Sequence, residues 1–212
     1  MITGKGQSIE DKSMKIIERE IGSHSYLPDE WTMVKRVIHS TADFDFAREN
    51  KIIFHMDAIK KGVEALKSGC AIVVDVNGVA GGFNKDNLKK FGNQVICNIS
   101  ESFVVSKANA LNKTRAQTSM RVASKDMNRG IVAIGNAPTA LLEVIQMIKE
   151  GLTLPSLVIG IPVGFVCASE SKDELRTLDI PYITNLGRKG GSPCASAIVN
   201  ALYIILKEKL SS

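Results

Sequence analysis

From residue 69 onward, short apolar runs rich in β-branched residues alternate with longer helical patterns, and this alternation constrains the fold more than any other feature. Residues 70–76 form the clearest run, which lies between Gly69 and Asn77-Gly78 and is typical of a buried strand. Similar runs follow at residues 94–98, 130–135, 156–165 and 181–185. Helical patterns lie between and after them, at residues 84–91, 100–110, 114–128, 137–150, 169–178 and 193–210. Strands that alternate with helices predict right-handed crossovers and a mainly parallel sheet with helices on both faces.

The residues before this region show helical patterns only. Helices are predicted over residues 9–22, 28–39 and 56–67. We therefore predict an α/β protein that consists of one domain over residues 1–212. It has a helical N-terminal arm (residues 1–68) and a three-layer core (residues 69–212) whose mainly parallel sheet has about five strands.

Composition excludes several classes of protein. No segment approaches the ~20 consecutive apolar residues of a membrane span, and the N-terminus lacks the apolar stretch of a signal peptide. We therefore expect no membrane association and a cytoplasmic location. The four cysteines occur singly, without the spacing of a zinc site or a disulfide framework, and are expected to be reduced and structural.

The charge balance favours an anionic partner without identifying it. A formal net charge of +5 and a pI of about 9.0 fit a polyanionic small molecule, although ordinary surface solubility explains them equally well. Only 5% of the residues are aromatic and no nucleic-acid recognition motif is present, so we do not expect nucleic acid as a partner.

His39 is the clearest candidate for acid–base chemistry. It directly follows an apolar helical stripe that ends in Val37 and Ile38, so a packed helix delivers an imidazole to a polar junction. Ser40 then stands in a capping-box relation to Asp43, which predicts that a new helix starts there. The alternative is a surface histidine that interacts with the end of its own helix. The other histidines, His24 and His55, have no partners at the spacing of metal ligands, and we predict no metal site.

Two further segments offer groups for a ligand. Ser13 lies within the apolar stripe of the first helix, where it either faces a ligand or bonds to the carbonyl of Ile9. The turn 134–139 contains Asn136 and Thr139 and follows a predicted strand. Asn136 is a good N-cap, and the free N–H groups of such a turn suit an anion, although a well-made turn needs the same residues without any ligand.

Two cationic turns are predicted at the same edge of the sheet. The segment 187–193 places Arg188 and Lys189 among glycines before a helix whose cap is Ser192, where charges and amides converge on a carboxylate or phosphate. Arg115 begins another helix and is either a carboxylate clamp or a solvated surface residue. No phosphate-loop or dinucleotide-binding fingerprint is present, so nucleotide binding rests on fold analogy only.

Taken together, these segments resemble the precorrin-8X methylmutase family of cobalamin biosynthesis, also called cobalt-precorrin-8 methylmutase in the anaerobic route. The resemblance covers nearly the whole chain and is carried by the helix with Ser13 and by VIH at 37–39, GNAPTAL at 135–141, PVGFV at 162–166, ESK at 170–172 and GRKGGS at 187–192. The stretch 77–82 is less typical of the family, because it contains an unusual excess of glycine.

The resemblance implies a flavodoxin-like fold and a homodimer with active sites near the subunit interface. It implies an isomerase without an organic cofactor, which moves a methyl group from C11 to C12 of a corrinoid polycarboxylate by a 1,5-sigmatropic shift. The family's proton-donating histidine falls on His39, and a substrate-contacting serine falls on Ser13.

Our leading hypothesis makes His39 the general acid. Ser13 and Arg115 then locate the macrocycle, and Asn136, Thr139 and Arg188 bind its acidic side arms. The alternatives are a corrinoid carrier with little catalysis and, less favoured, a nucleotide-binding α/β enzyme. The sequence leaves open whether the substrate contains cobalt.

Overall fold

A computed structural model describes residues 4–211 of the chain. The helices are α1 (Gly4–Ile21), α2 (Pro28–Thr41), α3 (Ala58–Lys67), α4 (Asn77–Gly81), α5 (Lys85–Phe91), α6 (Ser102–Ala110), α7 (Arg115–Val122), α8 (Pro138–Lys149), α9 (Ala168–Leu175) and α10 (Ser192–Ser211). The strands are β1 (Ile52–Phe54), β2 (Ile72–Val74), β3 (Val95–Ile96), β4 (Ile131–Ile134), β5 (Leu157–Gly160) and β6 (Tyr182–Asn185), and a 3-10 helix spans Phe44–Ala47. Within residues 4–211, no helix has both the length and the apolar character that crossing a membrane requires.

The sheet has the order β1-β6-β5-β4-β2-β3, and all neighbouring strands except β1 and β6 are parallel. Counted from β2, the parallel strands follow the spatial order second, first, third, fourth, fifth, which is the flavodoxin-like arrangement. The predicted α/β class, mainly parallel sheet and flavodoxin-like topology are therefore confirmed. In such a fold, strands are added to the sheet in one direction after β2 and in the opposite direction from β4 onward. Ligands bind at this switch point, beyond the carboxyl ends of the strands.

The sheet separates two helical layers because successive strand residues point to opposite faces. In β2, Ile72 and Val74 pack into the core that contains α2, α3 and α10, whereas Val73 packs on the other side against α7 and α8. The predicted three-layer arrangement is therefore present. The innermost helix is α10, in which most side chains between Cys194 and Leu206 are buried.

The N-terminal arm differs from its prediction, because residues 1–68 are not purely helical. Ile52–Phe54 forms β1, the sixth strand, which pairs antiparallel with β6 so that Ile52 lies opposite Asn185. A run of three apolar residues is too short to distinguish strand from helix by periodicity, and only the exposed edge of β6 determines its conformation. The arm is also joined to the core by packing, since α2 lies against α10.

Several element boundaries also differ from the predictions. The strand predicted over 156–165 ends at Gly160, because Pro162 has no N–H for the sheet ladder. The helix predicted over 114–128 is α7, which ends at Val122. Residues 77–81 form a short helix, α4, that was not predicted.

Candidate active site

His39 lies in the last turn of α2 and its side chain is exposed. Met33, Val34, Val37 and Ile38 are buried on the opposite side of the helix and fix its position against the core. No described residue forms a hydrogen bond with the imidazole, so a rigidly packed helix presents a side chain that is open to a ligand.

The segment after His39 does not form the predicted capping box. Ser40 and Thr41 still belong to α2, and each hydroxyl donates to the carbonyl of Val37 at 2.9 Å. Ala42 adopts a left-handed conformation (φ 54°) and ends the helix with an N–H bond to Ile38. Asp43 is the cap of the 3-10 helix, because its carboxylate accepts from the Asp45 N–H at 3.0 Å.

Two hollows meet at His39. The first, which we call the apolar hollow, has a volume of about 190 Å³ and is lined by Ser13, Ile16, Ile17, Ile38, His39, Ala42 and Phe44. The second, which we call the polar hollow, has a volume of about 310 Å³ and is lined by Arg36, His39, Ser40, Gly78, Gly82, Ser192, Pro193, Ser196, Ala197 and Asn200. The imidazole therefore stands at the boundary between an apolar and a hydrogen-bonding surface.

The glycine-rich stretch 77–82 forms one wall of the polar hollow. A Cβ atom on Gly78 would lie 3.2 Å from the Ser192 hydroxyl, and one on Gly82 would lie 2.6 Å from the Ser196 Cβ. These glycines therefore allow α4 to approach the start of α10 closely, which explains the excess of glycine in packing terms. The same approach places glycine backbone, rather than side chains, in the hollow.

Ser13 lies beside His39 in the apolar hollow, and its hydroxyl donates to the Ile9 carbonyl at 2.9 Å. The hydrogen bond to Ile9, which was the alternative to a ligand contact for this serine, is thus present. A hydroxyl that donates to its own helix still has lone pairs that accept a hydrogen bond, so its contact with a ligand stays a prediction.

Three amides of the turn after β4 are already occupied by a side chain of the protein. Asp75 follows β2 and is fully buried, and its carboxylate accepts from the N–H groups of Gly135 at 3.1 Å, Asn136 at 2.8 Å and Ala137 at 2.7 Å. Burial raises the pKa of Asp75, and these hydrogen bonds oppose that shift. The anion predicted for this turn is therefore a side chain of the protein itself.

Asn136 is also not the N-cap of α8, because Ala137 occupies that position in an extended conformation. The backbone of Asn136 is held by Asp75 instead, and its side chain is exposed. The predicted cap was wrong because the carboxylate arrives from a different strand, where the local sequence gives no sign of it. Substrate binding by the Asn136 side chain stays a prediction.

Arg115 and Thr139 lie at neighbouring helix starts. Thr114 caps α7 through a capping box with Gln117, and its hydroxyl lies 3.2 Å from that of Thr139 in α8. Arg115 is the first residue of α7 and is exposed. The structure thus brings these two predicted residues to one part of the sheet's carboxyl edge, but neither lines the apolar or the polar hollow.

The turn 187–191 carries Arg188 at its exposed tip. The guanidinium carbon of Arg188 lies 6.0 Å from the centre of the Phe165 ring, in the range of a cation–π contact. Its neighbour Lys189 bonds to Asp43 at 2.8 Å and Asp45 at 2.6 Å, just beyond the end of α2. Arg188 therefore lies on a turn that is tied to the His39 segment, although it lines neither hollow.

Sequence analysis did not identify the cations and amides that line the polar hollow. Arg36 lies one helical turn before His39 on the same side of α2 and pairs with Glu10 of α1. Asn200 lies in the middle of α10, where its side-chain amide donates to the Gly82 carbonyl at 2.8 Å. The spacing of Arg36 to His39 was a usable signal, whereas nothing local connects Asn200 to them.

Comparisons with known proteins identify the family to which the chain belongs. The family model described as Precorrin-8X methylmutase matches residues 8–205. A cobalt-precorrin-8 methylmutase from Priestia megaterium is 50% identical over 96% of this chain and 90% of its own length. A precorrin-8X methylmutase from Sinorhizobium is 33% identical over 93% of each chain.

A solved structure of precorrin-8X methyl mutase from Thermus thermophilus superimposes with a TM-score of 0.89. It is 37% identical, and the match covers 96% of this chain and 98% of the other. Family model, relatives and fold agree over nearly the whole sequence, and the chain therefore belongs to the precorrin-8X methylmutase family, a family of methyl-shifting isomerases.

Proposed function

We propose that the His39 cleft, formed by the apolar and polar hollows, is the site at which this isomerase moves a methyl group from C11 to C12 of a precorrin-8 macrocycle. The observation that supports this best is the position of His39 between two unlike surfaces. A corrinoid has the same division, with an apolar ring face and a rim of acetate and propionate groups. No organic cofactor enters the proposed reaction.

His39 acts as the general acid in this proposal. Protonation of a ring nitrogen withdraws electron density from the conjugated macrocycle and lowers the barrier to a suprafacial 1,5-shift of the methyl group. A positioned general acid typically contributes about 10²–10⁴-fold to the rate. The migration itself is intramolecular, so the remaining task of the protein is to hold the ring with the reacting nitrogen beside the imidazole.

The side arms of the substrate bind to the surrounding polar groups in this proposal. Ser13 contacts the ring side of the cleft, and Arg36 with Asn200 receives carboxylates in the polar hollow. Arg115, Asn136, Thr139 and Arg188 bind side arms that extend along the carboxyl edge of the sheet. Arginine suits this role because its guanidinium binds a carboxylate through paired hydrogen bonds.

A turnover assay with His39→Ala tests the proposal. We expect loss of conversion of precorrin-8, read by absorbance, with retained binding of the corrinoid product. His55→Ala is the matched control, because His55 contacts Tyr182 and lines neither hollow, and should keep wild-type turnover. Undiminished turnover by His39→Ala contradicts the assignment, and a wild-type protein that forms only one coloured product per subunit is a carrier.

We propose the cobalt-containing macrocycle as the substrate. The relatives with 50% and 44% identity are named cobalt-precorrin-8 methylmutases, whereas two relatives named precorrin-8X methylmutase are 33% and 36% identical and the Thermus structure of that name is 37% identical. Parallel assays with the cobalt and metal-free forms test this choice. A higher kcat/KM for the metal-free form contradicts it.

We further propose a homodimer with the cleft near its interface. Phe165 is 85% exposed and Val166 is 78% exposed, and the Phe165 ring lies beside Arg188 at the carboxyl edge of the sheet. Adjacent apolar side chains of this exposure are typical of surfaces that another protein covers.

The single domain over residues 1–212 and the cytoplasmic location stay predictions. A continuous apolar core from Ile17 to Leu206 favours one folding unit, and a single cooperative unfolding transition is expected. All four cysteines are free thiols, which fits a reducing compartment, and cell fractionation tests the location.

A further inference from the structure

Lys172 in α9 is a buried cation that is held by backbone carbonyls and not by a carboxylate. Its residue is 1% exposed, and its ammonium donates to the carbonyls of Gly187 at 2.9 Å and Lys189 at 2.5 Å. No carboxylate among residues 4–211 forms a salt bridge with it. Burial of a charge is costly unless hydrogen bonds compensate, so the two carbonyls are the reason that this lysine is tolerated.

These two hydrogen bonds orient the peptide groups of the turn 187–191. A trans peptide group directs its C=O and the following N–H to opposite sides. With the carbonyls of Gly187 and Lys189 directed at the buried ammonium, the N–H groups of Arg188 and Gly190 face away from it. No residue that the structure describes accepts a hydrogen bond from either of them. The turn is therefore anchored through its carbonyls on one side, while the Arg188 side chain stays exposed.

The same turn is tied to the segment that follows His39. The Lys189 side chain bonds to Asp43 and Asp45, four and six residues after His39 in the sequence. These bonds raise the pKa of Lys189, and against the opposing effect of burial they lower the pKa of Asp43. Both ends of the connection thus stay charged near neutral pH.

We propose that Lys172 is a positioning residue, which acts through the turn 187–191 to hold Arg188 and the end of α2 at a fixed separation. Its ammonium fixes the backbone of the turn, and Lys189 transmits that position to the Asp43 segment. Asn185 supports the arrangement, since its amide donates to the Lys189 carbonyl at 2.9 Å. This inference rests on the proposed function, in which His39 protonates the ring and Arg188 binds a side arm of the same molecule.

The separation between Arg188 and the end of α2 matters because the substrate is a rigid macrocycle in the proposed function. A rigid ring that binds through a carboxylate at one point places its nitrogen beside His39 only if the two protein groups keep their spacing. A displacement of about 1 Å reduces a positioned reaction by about 10²-fold. Lys172 itself touches neither the cleft nor the substrate in this proposal.

Two variants separate the parts of the mechanism. Lys172→Met removes both anchoring bonds of the turn, so we expect an increase in KM together with a decrease in kcat, and a fall in kcat/KM of about 10²-fold. Lys189→Met leaves the backbone of the turn anchored and breaks only the tie to Asp43 and Asp45, so kcat should fall while KM stays near the wild-type value. Kinetics are measured well below the melting temperature of each variant.

A double-mutant cycle provides the control. Asp43→Asn with Asp45→Asn should reproduce the kcat of Lys189→Met, and combining all three changes should add nothing further. Lys189 lies at the surface, so its variant tests the proposal even if Lys172→Met fails to fold. Wild-type kinetic constants in either lysine variant, or a loss confined to thermal stability, overturn the inference. If His39→Ala turns over normally, the proposed function itself has failed.

Discussion

Asp75 illustrates how one buried side chain changes the chemistry of a ligand-binding edge. It lies where the strand order reverses, between β2 and β4, which is the place where flavodoxin-like folds bind ligands. Its carboxylate already occupies the backbone donors of the next turn. A nucleotide phosphate would compete with this internal anion, and the nucleotide-binding alternative is correspondingly disfavoured.

Removing this carboxylate should leave the turn after β4 without acceptors. For Asp75→Ala we expect the free energy of unfolding to fall by about 3 kcal/mol, because a buried donor without an acceptor costs about 1–3 kcal/mol. Urea denaturation measures the change. Formate, which can replace the missing carboxylate, should stabilise the variant more than the wild type, and an equal response of both proteins would contradict the assignment.

The buried ammonium of Lys172 predicts an unusual dependence of stability on pH. Burial lowers the pKa of Lys172 from 10.5 to about 8, although electrostatic interactions with Cys194 and Asp173 oppose the shift. The folded state thus binds this proton less tightly than the unfolded state, so the stability contributed by Lys172 is full above pH 10.5 and is lost as the pH falls through about 8.

The difference in unfolding free energy between wild type and Lys172→Met isolates this effect. We expect the wild type to gain about 3 kcal/mol relative to the variant as the pH rises from 8 to 10.5. Denaturation at matched pH values measures the difference, in which the titrations of the tyrosines largely cancel. A difference that is independent of pH would show that the ammonium is not desolvated.

At the scale of elements, the polar hollow depends on the close contact between α4 and α10. This contact is possible because Gly78 and Gly82 have no side chains where Ser192 and Ser196 approach. The short helix α4 therefore forms a wall of the site through its backbone. The glycines reflect packing between elements, and the family's ligand contacts from this loop are not needed to explain them.

Gly82→Ala should destabilise the protein, whereas Gly81→Ala should not. The added Cβ on Gly82 would lie 2.6 Å from the Ser196 Cβ, and overpacking of this kind costs about 1–3 kcal/mol. A Cβ on Gly81 meets no atom within 4 Å, and alanine there stabilises a helix by about 0.4–1 kcal/mol. Urea denaturation of both variants checks the pair, and equal effects would show that the contact is not tight.

At the scale of the whole molecule, the proposed dimer concerns the apolar residues that follow β5. Val163, Phe165 and Val166 are exposed on the segment that also contacts Arg188. A partner that covers this surface would bury apolar area directly beside the carboxyl edge of the sheet. Such an interface would also reduce the access of water to substrate side arms.

Phe165→Ser combined with Val166→Ser should weaken the dimer. A central aromatic side chain typically contributes about 2 kcal/mol or more to an interface, which is roughly 30-fold in the dissociation constant. Sedimentation equilibrium of wild type and variant measures this. Met56→Ser is the matched control, because Met56 is 92% exposed and lies between β1 and α3. A monomeric wild type, or an equal effect of the control, contradicts the proposed interface.

The sequence by itself determined the α/β class, the parallel core strands and the position of His39 at the end of a packed helix. These features follow from local periodicity: β-branched runs such as residues 70–76 are buried on both faces, and the stripe before His39 packs on one face. Helix boundaries such as the Thr114 cap of α7 are equally local, because the cap and its partner lie within one turn.

Only the tertiary structure decided what surrounds those elements. Three apolar residues became β1 because β6 offered an open edge, and the amides after β4 were occupied because Asp75 arrives from β2. The tie from Lys172 through Lys189 to Asp43 joins segments more than a hundred residues apart. Such contacts depend on which elements become neighbours in space. Local sequence patterns do not predict these neighbours, because each segment would have the same local pattern beside a different partner.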